Sequence, residues 1–196
     1  MYTDEHKAMI RAMGRKAISD DSFNEQLQGN IDFVKGYFSD QPNKGFFPQL
    51  VAVSMKKEAA IMMLADMPND ADERHQFFFR VGEMFATKQS GFFPVCVFMM
   101  TEAWMRGQAF KGEKIHLPIK DNPAKTEAMI ISGMTVDGRM NMATIPMHRG
   151  ATGIVMLGEP NVVKTKEGDN GLVTYILAEF YKGYFTVKKP DKKGEN

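Results

Sequence analysis

The sequence predicts an α+β protein with a mostly antiparallel sheet of about five strands. N-terminal helices, one helix between strands and a C-terminal helix accompany this sheet. Helical periodicity is clearest in the first quarter of the chain, where apolar residues recur at helical spacing: Leu27, Ile31, Val34 and Phe38. A long apolar run begins at Phe92 and is typical of a central strand. Asp137-Gly138 joins two further apolar runs, which is a strong signal for a β-hairpin.

Composition and charge indicate an ordinary globular protein. The chain has 196 residues, of which 43% are hydrophobic and 25% are charged, enough for one domain with a sizeable core. The net charge of +1 argues against a dedicated nucleic-acid-binding protein. Cys96 is the only cysteine, so the chain cannot form an internal disulfide. The acidic and polar N-terminus does not resemble a signal peptide, and no apolar run reaches about 20 residues, so we expect a cytoplasmic protein with no membrane segment.

Two helices are predicted at the start of the chain. Thr3 can cap a first helix that ends at about Ile18. Ser22 and Glu25 fit a capping box at the start of the second helix. Residues 39–45 contain proline, glycine and asparagine and predict a linker.

Residues 50–64 allow two structures. Their alanine, methionine, lysine and glutamate favour a helix. Two short strands that turn at Lys56-Lys57 are the alternative, although two lysines are unusual in a tight hairpin. Local propensity alone favours the helix.

The rest of the chain alternates between clear and weak signals. Asn69 can cap a helix that buries Phe78, Val81 and Phe85. The strand from Phe92 and the Asp-Gly hairpin follow, and residues 153–165 can add further short strands. A last helix is predicted from one apolar stripe: Leu172, Ile176 and Phe180.

This order of elements divides the chain into three parts. Residues 1–40 are a predicted N-terminal helical segment, residues 45–187 an α+β domain, and residues 188–196 a disordered charged tail. With a hairpin at residues 50–64, the layout resembles that of roadblock and profilin-like domains. Such a likeness concerns the fold and does not fix a function.

Glu102 and Trp104 form the first candidate site. Strand alternation places both on the same face as Phe98 and Met100, where an unpaired carboxylate would be costly to bury. Glu102 is therefore either an anchoring residue paired with a cation at the sheet margin or a general acid or base. Arg149 is a candidate partner for Glu102 or for an anionic ligand.

The hairpin supplies a second candidate pair. If Asp137-Gly138 is a two-residue loop, counting back along both strands places Glu127 opposite His148. Such a pair can orient an imidazole for acid–base chemistry or simply fix the register of the strands. Pro146 favours an edge or a bulge in this strand, and a bulge would shift the register.

No metal or cofactor site is predicted. The four histidines lack metal-ligand spacing: His6, His75, His116 and His148. Cys96 lies within the apolar run, where a thiol is usually a small buried hydrophobic group. Residues 148–153 contain two glycines, but a strand-like segment follows them instead of the helix that a phosphate loop requires.

Several short motifs resemble those of a group of prokaryotic and phage proteins of uncharacterised activity. The matching pieces are TEAWM at residues 101–105, DNPAKTE at 121–127, VDGR at 136–139, HRG at 148–150 and LGEP at 157–160. The resemblance covers the middle third to half of the chain. It implies the order of the strands and favours the hairpin at residues 50–64, but it implies no catalytic role.

Two functions follow as hypotheses. The first is a non-enzymatic binding or interaction protein, for example a phage or mobile-element accessory factor, with a protein partner or self-association. The abundance of methionine (17) and phenylalanine (15) and the lack of a recognisable catalytic spacing favour it. The alternative is a small hydrolase or nucleotide-processing enzyme that uses four residues: Glu102, Glu127, His148 and Arg149.

Overall fold

The structure is a computed structural model that describes residues 16–89, 91–106, 125–164 and 175–187. The helix predicted from Thr3 lies outside these residues except for Lys16 and Ala17, which are helical. The predicted tail at residues 188–196 and the stripe residue Leu172 also lie outside them.

Three helices and seven strands make up the described part of the chain. The helices are α1 (Asp20–Asp40), α2 (Ala71–Lys88) and α3 (Tyr175–Val187). The strands are β1 (Gln49–Ser54), β2 (Ala59–Met63), β3 (Pro94–Arg106), β4 (Lys125–Thr135), β5 (Met140–Arg149), β6 (Val155–Leu157) and β7 (Asn161–Lys164). They form one antiparallel sheet in the order β2-β1-β3-β4-β5-β6, and β7 also pairs with β5. The predicted α+β class is confirmed.

The sheet carries a hydrophobic core on each face. On one face, α1 packs across β1, β3, β4 and β5 through residues that include Phe23, Leu27, Ile31, Phe98, Met129 and Ile145. On the other face, α2 and α3 pack through residues that include Leu50, Val97, Phe78, Phe85, Leu177 and Phe180. The described part of the N-terminal segment therefore shares a core with the sheet.

Helix α1 begins three residues earlier than the capping box predicts. Ser19 is the N-cap, and its side chain accepts a hydrogen bond from the Ser22 N–H at 3.1 Å. Asp20 and Asp21 then lie in the first turn, where the helix dipole favours negative charge. The prediction of Ser22 as the cap was wrong because Ser19 precedes a better first turn. The predicted buried stripe of α1 is confirmed.

Arg139 fastens the start of α1 to the β4–β5 hairpin. Its Nη1 donates to Asp20 at 2.6 Å, and its Nη2 donates to the carbonyl oxygen of Ile18 at 2.7 Å. Its Nε donates to Asp137 at 2.9 Å, and the Asp137 carboxylate is almost completely buried. One guanidinium thereby joins two segments that are far apart in sequence.

The hairpin at residues 50–64 is confirmed, and the helix is excluded. β1 and β2 pair antiparallel, with Val51 opposite Ile61. Lys57 takes a positive φ of 61° in the connecting turn, a conformation that lysine adopts less readily than glycine or asparagine. The Ser54 hydroxyl stabilises this turn because it accepts hydrogen bonds from the N–H groups of Lys56 and Glu58.

Helix α2 begins one residue later than the sequence predicts. Asp70, and not Asn69, is the N-cap, and its side chain accepts hydrogen bonds from the N–H groups of Asp72 and Glu73. A charged carboxylate complements the positive end of the helix better than an amide does. Beyond the helix end, Gly91 takes a φ of 88° where the chain turns into β3.

Helices α2 and α3 cross at a pair of glycines. A Cβ on Gly82 would overlap the Phe180 carbonyl oxygen, and a Cβ on Gly183 would overlap the Phe79 carbonyl oxygen. The two backbones are therefore in direct contact at this crossing, which only glycine allows.

The β4–β5 hairpin has a three-residue loop instead of the predicted two-residue loop. The Thr135 N–H donates to the carbonyl oxygen of Arg139 at 2.9 Å, so residues 136–138 form the loop. The Thr135 hydroxyl accepts the Arg139 N–H at 2.9 Å, and Gly138 takes a φ of 92°. This is the turn-plus-bulge geometry that a left-handed glycine in the third loop position produces. The register of the strands consequently differs by one residue from the prediction.

The outer edge of β5 is interrupted. Residues 141–144 pair with β7, whereas residues 147–149 pair with β6, and residues 158–160 bulge between the two strands. Pro146 lies at this break, and its carbonyl oxygen accepts the Gly158 N–H at 2.8 Å. The predicted edge or bulge is not found in the β4–β5 pairing, because its register continues through Pro146 and β5 has pairing strands on both sides; the interruption lies on the outer side of β5.

Within the described ranges, no helix is both long enough and apolar enough to cross a membrane.

Candidate functional site

Glu102 is an anchoring residue with both carboxylate oxygens engaged. It lies near the end of β3, on the face covered by α1. Its Oε1 accepts the Phe46 N–H at 2.6 Å, and its Oε2 accepts a hydrogen bond from Arg149 Nη2 at 2.9 Å. The carboxylate thus holds the segment before β1 against the end of β5, and the predicted pairing with Arg149 is confirmed.

Arg149 joins Glu102 to Glu127. Its Nε lies 2.8 and 3.0 Å from the two oxygens of Glu127, on the neighbouring strand β4. These contacts, first among them the hydrogen bond to Glu127, raise the pKa of Arg149 above its ordinary value. A guanidinium between two carboxylates compensates most of their mutual repulsion.

His148 does not join this cluster. Because the hairpin loop has three residues, Glu127 lies opposite Met147, and the predicted Glu127–His148 pair was wrong. Residues 147 and 149 point to the α1 face, so the exposed His148 side chain points to the other face, next to Met156 of β6. The sheet backbone separates it from the carboxylates.

Trp104 lies beside the cluster and faces solvent. Its side chain is 51% exposed, and its backbone pairs with that of Glu127 across β3 and β4. Lys125 Nζ lies 4.9 Å from the ring centroid, which is the geometry of a cation–π contact. The same-face placement of Glu102 and Trp104 predicted from strand alternation is therefore correct.

The cluster of Glu102, Glu127 and Arg149 acts as a structural tether between chain segments. Each carboxylate accepts hydrogen bonds from Arg149, and Glu102 has a backbone donor as well. General acid–base catalysis requires a group that reaches a substrate proton, and here both carboxylates already hold protein partners. The cluster instead links the ends of β3, β4 and β5 to the chain that precedes β1.

Cys96 is not available as a nucleophile. Cys96 is completely buried, and this burial raises the pKa of its thiol to about 12. Such a thiol stays protonated and inaccessible. In the part of the chain that the structure describes, no three histidine, cysteine or acidic side chains lie close enough to hold a metal ion.

An open groove between the outer faces of α2 and α3 has a volume of about 460 Å³. It contains both signs of charge: His75, Arg80, Glu83 and Glu179 line it together with Gln76 and Phe79. His75 Nδ1 lies 3.8 Å from Glu179, which also accepts a hydrogen bond from Lys182. This mixture of charges favours no particular ligand.

The free edge at β2 is a surface that sequence reasoning missed. Ile61 is 62% exposed and Met63 is 53% exposed, because α1 does not extend over β2. Among the strands that the structure describes, β2 pairs only with β1, which leaves its other side open to further pairing. Glu58 and Leu64 direct backbone groups to β1, and by alternation Ala59, Ile61 and Met63 direct theirs to the open side.

A sequence signal for this edge did exist. An apolar strand normally indicates an interior position in the sheet, so the composition of β2 does not suggest that this strand lies at an edge. The charges that flank this strand, Lys56-Lys57 before it and Asp66 after it, mark both ends as solvent-exposed.

No protein-family model, no curated protein and no solved structure matches this chain. The resemblance to the prokaryotic and phage group consequently stays a prediction.

Proposed function

We propose that this protein is a non-enzymatic interaction protein that binds an extended polypeptide segment along the free edge of β2. The observation that supports the proposal is the open strand, with Ile61 and Met63 exposed on one face. An added strand would satisfy the outward backbone groups of β2 and cover these two side chains.

The edge is short, but it lacks the charges, proline and bulges that protect many edge strands. β2 has the sequence AAIMM, with no charge, proline or glycine. Charged or bulged edges discourage strand addition, whereas a regular apolar edge promotes it. By contrast, the opposite edge of the sheet is split between β6 and β7.

The enzymatic alternative has less support. It needs Glu102, Glu127, His148 and Arg149 to converge, but His148 lies on the other face and Arg149 already pairs with both carboxylates. The cytoplasmic location and the phage or mobile-element role remain predictions from the sequence.

Photo-crosslinking in cells that produce the protein tests the proposed function. A photoreactive phenylalanine analogue in place of Met63 should give covalent adducts with polypeptide, and adding Ile61→Lys should abolish them. The same analogue in place of Val163, an exposed residue of β7, is the matched control. If the two positions give the same adducts, or neither gives any, the proposed function is wrong.

A further inference from the structure

We infer that the polypeptide bound at β2 is a second copy of this chain. The β2 strands of the two copies pair antiparallel about a two-fold axis at Ile61. This inference rests on the proposed function and names its partner. Three features of the edge support it: the backbone pattern, the side-chain sizes and the flanking charges.

The backbone pattern suits pairing of the strand with itself. Ala59, Ile61 and Met63 direct their N–H and C=O groups outward. A two-fold axis at Ile61 pairs Ile61 with its symmetry mate and pairs Ala59 with Met63 of the other copy. All three outward residues then meet outward residues, which gives about six hydrogen bonds between the chains.

The side chains also complement one another. On the exposed face, the small Ala59 lies opposite the long Met63 in two equivalent places, and Ile61 meets Ile61 at the centre. The two most exposed apolar side chains of β2 are covered by equivalent groups of the second copy. Apolar pairs of this kind stabilise neighbouring antiparallel strands.

The flanking charges suit an antiparallel pair. Lys56 lies in the turn before β2 and Asp66 in the turn after it, so antiparallel pairing about Ile61 brings the lysine end of one strand to the aspartate end of the other, and does so twice. Both residues are exposed, and neither forms an ion pair within the described chain.

The expected dimer is weak, because pairing of a five-residue strand buries much less surface than the ~1,600 Å² of a standard interface. We expect a dissociation constant on the order of 10 µM. Sedimentation equilibrium over about 1 to 500 µM should therefore show the mass rise from 22.1 kDa towards twice that value. A monomer at the highest concentration would overturn the inference, whereas the proposed function would still be judged by the adducts formed with other proteins.

Ile61→Lys tests the location of the interface. It places two like charges together at the axis and should weaken the dimer at least about thirtyfold. Val163→Lys, which adds the same charge to the other edge of the sheet, should leave the dimer unchanged. A dimer that survives Ile61→Lys would show that the copies associate through another surface.

A charge exchange tests the two-fold symmetry. Lys56→Asp and Asp66→Lys each create two repulsive contacts, so each variant alone should dimerise about tenfold more weakly than the natural chain. An equimolar mixture of the two variants makes both contacts attractive again and should dimerise within about threefold of the natural chain. Because both positions are exposed and have no ion-pair partner among the described residues, each variant should keep its circular dichroism spectrum and melting temperature. A mixture that dimerises no better than its components would contradict the antiparallel pairing.

Discussion

At the scale of single residues, Arg149 connects two carboxylates at the end of the sheet. Its guanidinium bonds to Glu102 and Glu127, and Glu102 in turn accepts the Phe46 N–H. Removing the arginine would leave two partly buried carboxylates close together without a cation. Removing either glutamate would leave one carboxylate still paired with the guanidinium.

We therefore predict that Arg149→Ala lowers the free energy of unfolding by about 1 to 2 kcal/mol, the modest size reflecting partial exposure to solvent. Arg149→Lys should recover part of this loss, because an ammonium keeps the charge but lacks the planar fork that reaches both carboxylates. Denaturation in urea measures both changes. His148→Ala, one residue away on the exposed opposite face, should change the free energy by less than about 0.5 kcal/mol. Equal effects at positions 148 and 149 would contradict the tether.

At the scale of elements, the α2–α3 crossing depends on Gly82 and Gly183. We predict that Gly82→Ala destabilises the protein by about 3 kcal/mol or more, because the added methyl group would push the Phe180 backbone away. Gly36→Ala is the matched control. Gly36 lies in α1 with open space around its Cβ position, so this change should stabilise the protein by about 0.5 to 1 kcal/mol. Thermal melts of the two variants should shift in opposite directions, and shifts in the same direction would contradict the close crossing.

The elements also show how far sequence reasoning reaches. Periodicity correctly predicted the buried faces of α1, α2 and β3, because the spacing of apolar residues follows directly from helix and strand geometry. Strand alternation likewise placed Glu102 and Trp104 on one face. The hairpin register was not predicted, because Asp-Gly fits a two-residue loop as well as the last two positions of a three-residue loop. The hydrogen bonds between Thr135 and Arg139 show that the longer loop forms. Because of the one extra loop residue, Glu127 bonds to Arg149 and not to His148, which the two-residue loop had predicted.

The exposure of the β2 side chains could not be predicted from the sequence of the strand itself, for a related reason. Whether an apolar strand is central or at an edge depends on which strands pair with it and on how far a distant helix extends. Helix α1 covers β1 but not β2, and nothing in the sequence AAIMM indicates that the helix stops short of this strand.

At the scale of the whole molecule, one sheet supports two cores. Alternate residues of β3 point into them, with Phe98 on the α1 face and Val97 on the α2–α3 face. Because the same backbone serves both cores, loss of either should disorder the shared strand.

We predict a single cooperative unfolding transition. Leu27→Ala in the first core and Leu177→Ala in the second should each cost about 2 to 5 kcal/mol. In each variant, far-ultraviolet circular dichroism and the fluorescence of Trp104, the only tryptophan, should give coincident transitions. Separate midpoints for the two probes would show that the two layers unfold independently.

The break beside Pro146 limits how large an assembly of this protein can become. A sheet with two regular open edges can add copies at both ends and grow into a fibre. Here one edge is regular and the other is interrupted by residues 158–160 between two short strands. When two molecules join through β2, the edges that remain on the outside are both of the interrupted kind. Growth by strand addition would then stop at two copies, which would leave a closed particle with no site for a third.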